Sequence, residues 1–291
     1  MATSVASVVK QAIFDPERAP ARFISVAESD GIEDLLLYRV RYVGISRPGG
    51  IAEHHLIIVN VGPPVSADCN IGRANLNHVS MPGNVTIIPS DTTWNATMAD
   101  GAERVVVAIP KTRLAVAAAA TLNEIPVVEP QLSGQDAELL SIIKEMTISD
   151  LPHRINGAAW HSLADELIEH FSTRSGATDQ WPRRGTLSSA VVATINTFLE
   201  AHLEESISIN ELADAAGQTR SHFPRLFRRT LGMSPHQYVM RLRLRRAKTL
   251  ITEGHALAEA ATEAGFSDQS HLTNWLRRIY GTTPGQLSPA R

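Results

Sequence analysis

Two stretches of the chain carry the same chemistry at a fixed spacing. Ser221 to Pro235 laid over Ser270 to Pro284, a shift of 49 residues, agrees at six of fifteen positions, with Phe/Leu, Leu/Trp and Ser/Thr among the remaining pairs. Each copy follows a short segment ending in glycine, Leu212 to Gly217 in the first and Ala260 to Gly265 in the second. Small residues let two helices cross closely, and glycine accepts the positive φ that ends one helix before the next begins. The pattern predicts a helix-turn-helix, twice. The first turn of each second helix then offers Arg220, Ser221 and Arg225, and Asp268, Gln269 and Asn274, side chains able to address base edges and phosphates in a major groove.

Those side chains need elements to hold them. Ser208 with Glu211 three residues later forms a capping box for the first short helix, while Thr219 or Ser221, and Ser267 or Asp268, are available to cap the second helix of each pair. Between the copies, Pro235 through Ile251 reads as a helix with a buried stripe of Met240, Leu244, Ala247 and Ile251. Arg241, Arg245 and Lys248 follow a separate stripe that is expected to be exposed, with Arg243 and Arg246 nearby. At 1.5 Å per residue this connector is about 25 Å long, which lets units at its ends reach major grooves about 34 Å apart.

The first 110 residues differ in kind. Leu35 to Val43, Leu56 to Val61, Val85 to Pro89 and Arg104 to Ile109 read as strands between Pro/Gly-rich turns, followed by helical stretches around Gln135 to Met146 and Gly157 to Thr173. The second of these sets Trp160, Leu163, Leu167, His170 and Phe171 on one face, and an apolar face on an appended helix raises the expectation of a homodimer. The fold class expected is α+β: a β-barrel with appended helices over 1–175, a polar linker over 176–186, and an all-α domain over 187–291. Charge divides the same way. From Arg183 onward there are 14 Lys and Arg against 9 Asp and Glu, whereas the rest carries 13 against 21, so only the tail half is suited to a polyanion.

At this point the residues resemble a known family. Ser221 to Pro235, Arg243 to Ala247, Ala264 to Leu272 and Gly281 to Pro284 look like the DNA-binding domain of the AraC/XylS transcription regulators. The resemblance implies a cytoplasmic regulator, usually an activator that binds promoter DNA and contacts RNA polymerase, often as a homodimer, with a small-molecule sensor at its N-terminal side. Two positions depart from it: Pro224 lies inside the first reading helix, and Asn274 stands where the family commonly has a basic residue. Pro82 to Pro89 resembles the cupin-like barrels common in this family. A cupin metal centre is not expected, because His54 and His55 are adjacent and Trp94 takes the place of the later histidine.

The sensor itself has a weaker motif. Arg18 and Arg22, with His78, Ser80 and Gly83, resemble the Arg-x-x-x-Arg and x-x-Ser-x-x-Gly pair with which PilZ domains hold cyclic di-GMP, making Arg18, Arg22, His78 and Ser80 the ligand candidates. An apolar or aromatic effector lined by Trp94, Phe23 and Tyr42 is the competing expectation. Enzyme readings fare poorly. A metalloenzyme fused to a DNA-binding domain lacks a His-Glu-x-x-His motif, and an alkylation-repair methyltransferase would need a cysteine cluster that Cys69 alone does not supply. With one cysteine and no apolar run near 20 residues, the chain is expected to be cytoplasmic, to meet no membrane and to need no cofactor beyond an effector.

Overall fold

The computed structural model describes residues 19–28, 35–121, 128–148, 157–174 and 186–288. Among the described residues nine strands come first, β1 (Ala21–Glu28), β2 (Leu36–Tyr42), β3 (Gly49–Ile51), β4 (His55–Asn60), β5 (Val65–Ile71), β6 (Ala74–Ser80), β7 (Val85–Ile88), β8 (Thr93–Met98) and β9 (Glu103–Ile109), and β10 (Gln131–Gly134) follows the first helix. They form a six-stranded sheet in the order β1-β2-β9-β4-β7-β10 and a four-stranded sheet in the order β3-β8-β5-β6. The described residues therefore give two sheets with open edges, and the closed barrel expected from the sequence is not among them.

Strand parity sets the core between the sheets. On β9, Arg104, Val106 and Ala108 share a face with Val40, Tyr38 and Leu36, their partners on β2, and with Asn60, Ile58 and Leu56, their partners on β4. Most of these belong to one apolar cluster with Ile88, Trp94, Ala96 and Met98. The opposite face of β9 places Glu103 against Arg39 at 2.7 Å and Arg41 at 2.8 Å. Burial pushes the Glu103 carboxyl up, but hydrogen bonds and charge from these two arginines outweigh it and hold it below the usual carboxylate range.

The helices are α1 (Lys111–Thr121), α2 (Ala137–Ile148), α3 (Gly157–Arg174), α4 (Ser189–His202), α5 (Ile209–Ala215), α6 (Phe223–Leu231), α7 (Pro235–Thr252), α8 (Leu257–Glu263), α9 (Gln269–Tyr280) and α10 (Pro284–Leu287). Contacts divide the chain into Met1–Pro110, Val128–Ile155 and Leu163–Leu167 on one side, and Lys111–Val127, Asn156–Ser162 and Ile168–Arg291 on the other. The all-α unit thus takes in α1 and most of α3, which a boundary drawn at 175 assigned to the sensor. Most of the expected linker, 176–185, lies outside the described residues. Trp160, Leu167 and Phe171 on α3 are buried within the single chain, so their burial does not call for a second copy. No helix among the described residues is long and apolar enough to cross a membrane.

Candidate functional site

Each helix-turn-helix is built by the same local rules. Before α5, the Ser208 hydroxyl accepts from the Glu211 amide at 3.2 Å and the Glu211 carboxylate accepts from the Ser208 amide at 2.8 Å, a complete capping box. After α5, Gly217 turns at φ +59, and α6 opens at Phe223. Its N-cap is His222, not Thr219 or Ser221, and the cap makes no side-chain hydrogen bond. Pro224 falls in the first turn, where a missing amide leaves no intrahelical bond unmade. Phe223, Phe227 and Leu231 form the buried stripe of α6, with Phe227 edge-on to Tyr238 at 5.4 Å. Arg220, Ser221, Arg225, Arg228 and Arg229 are left exposed.

The second unit repeats the plan with different polar chemistry. Asp268 is the N-cap of α9, its carboxylate accepting from the His271 amide at 2.8 Å. That backbone hydrogen bond is the main reason its carboxyl sits below the ordinary range. A side chain expected to face DNA is thereby engaged in starting the helix. Leu272, Leu276 and Ile279 point inward, while Gln269, Asn274, Arg277 and Arg278 are exposed. Trp275 donates to His271 at 3.0 Å, and the Arg278 guanidinium lies 5.3 Å over the Trp275 ring.

The connector α7 spans 18 residues and starts with its own capping box, Ser234 with Gln237. At 1.5 Å per residue it is about 27 Å long. Met240, Leu244, Ala247 and Ile251 are buried as expected, but the basic stripe beside them is not an open surface. Arg241 and Lys248 are both under a tenth exposed. Lys248 donates to the His161 carbonyl at 3.2 Å, and Arg245 donates to the Val116 and Ala117 carbonyls at 3.3 and 3.0 Å. Arg243 donates to the Leu203 carbonyl at 2.9 Å and to that of Glu205, and Arg246 pairs with Glu204. The cations of α7 tie it to α1, α3 and the end of α4. The arginines left exposed on α6 and α9 include Arg228, Arg229, Arg277 and Arg278. They were overlooked in the sequence although they stand at identical positions in both repeat copies.

The "Helix-turn-helix domain" family model matches residues 212–289, the span holding both reading helices. Over these residues the chain is similar to AraC-type transcription regulators. The probable transcriptional regulator LumQ of Photobacterium leiognathi is 43% identical over 91 residues, 31% of this chain and 37% of that protein. A putative AraC-like transcription regulator of Streptomyces antibioticus is 29% identical over 166 residues, 55% of this chain and 54% of its own length. The chain thus spans about a third to a half of these relatives, each named as a regulator and not as an enzyme. Among solved structures, an AraC-type regulator from Chromobacterium violaceum is 28% identical with a TM-score of 0.32, covering 34% of this chain and 88% of that chain.

On the β-sheet side of the chain, the sequence candidates separate. Arg18 lies outside the described residues, and Arg22 is exposed on β1. His78 and Ser80 are brought together on β6, both lining a small cavity of about 30 Å³ between the two sheets. Trp94 lines it too, whereas Phe23 and Tyr42 do not. Cys69 is on the same wall, and burial pushes its thiol up, which suits a small apolar wall residue better than a nucleophile. His55 is occupied elsewhere, accepting from the Ser90 amide at 3.2 Å.

Proposed function

We propose that the chain is a ligand-responsive transcription regulator that binds promoter DNA with α6 and α9 in successive major grooves, the two held apart by α7. The observation that carries this reading is the sorting of the repeat. Positions facing inward are apolar in both copies, Phe223 and Leu272, Phe227 and Leu276, while the outward positions keep Arg228/Arg277 and Arg229/Arg278 and vary at Arg225/Asn274. Conserved cations within the repeat suit phosphates, and a varying pair between them suits different bases. A small-molecule effector in the β-sheet domain is the controlling input. Cyclic di-GMP, raised by the Arg18/Arg22 and His78/Ser80 motifs, would need the arginines to meet the β6 wall, since the cavity behind that wall, about 30 Å³, is too small to take it. Activation through RNA polymerase and action as a homodimer are carried over from the family resemblance.

Fluorescence anisotropy with duplexes from the chain's own upstream region tests the DNA reading. Six exposed arginines, Arg220, Arg225, Arg228, Arg229, Arg277 and Arg278, set an upper bound of about −5 for the slope of log K against log salt. Arg220→Ala is expected to weaken specific binding. A salt-independent affinity, or no preference for any such duplex over random sequence, would overturn the proposal.

A further inference from the structure

Two charges of opposite sign line one cavity of the helical unit and do not pair with each other. The cavity lies between α4 and α7 and has a volume of about 260 Å³. Its apolar lining is Leu199 and Leu203 from α4 and Leu242 and Leu250 from α7. Asn196 and Glu200 share the α4 face with those leucines at helical spacing, and Arg245 stands opposite on α7. Three contacts fasten the two helices together. The Tyr238 hydroxyl donates to the Asn196 Oδ1 atom at 2.9 Å, Arg243 donates to the Leu203 carbonyl at 2.9 Å, and Arg246 pairs with Glu204. The space between them is therefore preformed, and filling it does not require the helices to part.

Three polar groups of the lining have unused bonding capacity among the described residues. Asn196 is 2% exposed, and its Nδ2 atom is buried without a hydrogen-bond partner while Oδ1 is held by Tyr238. A buried donor left unmade is costly, and an acceptor placed against it recovers that cost. Arg245 donates to the Val116 and Ala117 carbonyls through Nη1 alone, which fixes the guanidinium and leaves Nε and Nη2 unbonded. The Glu200 carboxylate is exposed and makes neither a hydrogen bond nor an ion pair. Both charges act on the Tyr238 phenol, Arg245 favouring its ionisation and Glu200 opposing it. The other polar members are already engaged, Arg246 by Glu204 and the Thr249 hydroxyl by the Arg245 carbonyl. An arginine and a glutamate that line the same space without touching suit a ligand that carries both charges itself.

We infer that this cavity binds an apolar α-amino acid as its zwitterion, the carboxylate on Arg245 and the Asn196 amide, the ammonium on Glu200, and the side chain among the four leucines. Size agrees. A dry cavity of about 150 Å³ takes benzene, so about 260 Å³ takes about ten non-hydrogen atoms, the bulk of leucine. A simple anion would be repelled by Glu200, and a simple amine by Arg245. The cavity belongs wholly to the helical unit and is separate from any effector of the β-sheet domain. Its route to the reading helix is short: Tyr238, which bonds Asn196, meets the Phe227 ring of α6 at 5.4 Å. Occupancy is thereby coupled to duplex binding, and that coupling alone rests on the regulator reading.

The test is calorimetric titration of the full-length protein with L-leucine and L-phenylalanine and with their one-charge analogues. Leucine is compared with 4-methylpentanoate and 3-methylbutylamine, phenylalanine with 3-phenylpropanoate and 2-phenylethylamine. At least one amino acid is expected to bind about ten- to a hundredfold tighter than both of its analogues. Glu200→Gln cuts the preference over the carboxylate analogue and leaves that over the amine. Thr249→Trp fills the mouth of the cavity and abolishes binding. Both positions are exposed, so neither variant disturbs the core. No binding of either amino acid, an analogue that binds as tightly as its parent, equal binding of L-serine, or indifference to both variants overturns the inference. Repeating the titration with saturating duplex from the upstream region shifts the affinity severalfold, and an unchanged affinity overturns the coupling. Loss of duplex binding with amino-acid binding intact removes the regulator reading and leaves the site; loss of amino-acid binding with duplex binding intact removes only the site.

Discussion

Gly217 and Gly265 occupy the same place in the two helix-turn-helix units, yet alanine at each should have different consequences. Both residues have positive φ, +59 and +81, where an L side chain costs about 1–2 kcal/mol. Alanine recovers about 0.4–1 kcal/mol by restricting the unfolded chain. At Gly217 nothing lies within 4 Å of an added Cβ, so the net loss is about 1 kcal/mol. At Gly265 the new atom would stand 2.5 Å from the Leu203 carbonyl oxygen and 2.8 Å from Arg243 Nε. Those two atoms are partners in a 2.9 Å hydrogen bond, and relieving the clash means parting them. A hydrogen bond from a charged donor contributes about 1.5–3 kcal/mol, which brings Gly265→Ala to about 3 kcal/mol. Urea unfolding of the full-length variants, followed by far-ultraviolet circular dichroism of the helices, should separate the midpoints by about 1 M for a 2 kcal/mol difference. Coincident midpoints for the two variants would refute the reasoning, since they would mean that the packing of α7 against the end of α4 has no part in fixing the second unit.

Arg245→Ala should leave the salt slope of duplex binding unchanged while lowering the unfolding midpoint, because Arg245 is spent on the α1 carbonyls; Arg228→Ala should instead reduce that slope by about one. The Asp268 cap gives a pH dependence with a definite sign. Its carboxyl is depressed in the folded chain, so its contribution is present above the ordinary aspartate range and is lost as pH falls through the folded value. Hydrogen exchange at the His271 amide should accelerate, relative to the Leu276 amide deeper in α9, as acid is added; an unchanged ratio in Asp268→Asn would show that the carboxylate does not hold the cap.

The reading helices were legible because three independent signals coincide there: the 49-residue repeat, the glycines and the capping residues Ser208 and Asp268. The cap of α6 was not, since His222 starts the helix without a side-chain bond and leaves no composition signal. Strands β2, β4, β7 and β9 announced themselves by β-branched runs. Strands β5 and β6 did not, for Asp68, Asn70, Asn75 and Asn77 disfavour strands, and only the inward alternation of Val65, Ala67, Cys69 and Ile71 marks β5. Arg104 was missed for a related reason. A cation at the head of Arg104 to Ile109 reads as a strand end in solvent, yet it has the same parity as Val106 and Ala108, and parity places it inside. Helix α1 has no counterpart among the elements expected from the sequence, although Ala115 to Ala120 are good helix formers.

The connector shows where sequence patterning misleads most. Five cations on α7 invite the conclusion that the rod lies along a phosphate backbone, and counting them would nearly double the expected electrostatic footprint. Arg243, Arg245, Arg246 and Lys248 have protein partners instead, carbonyls of α1, of α3 and of the turn after α4 or the Glu204 carboxylate, and Arg241 is buried. Long basic side chains bury their methylene stems and satisfy carbonyls at helix ends, so a basic stripe is compatible with a packing seam as well as with a nucleic-acid surface. What separates the two in this chain is repetition. The α7 cations occur once, at the junction of the two units, where an internal strut is needed. Arg228 and Arg229 recur as Arg277 and Arg278, on the outward side of helices whose inward side also recurs, and only a surface that meets a periodic partner twice has reason to carry the same charges twice.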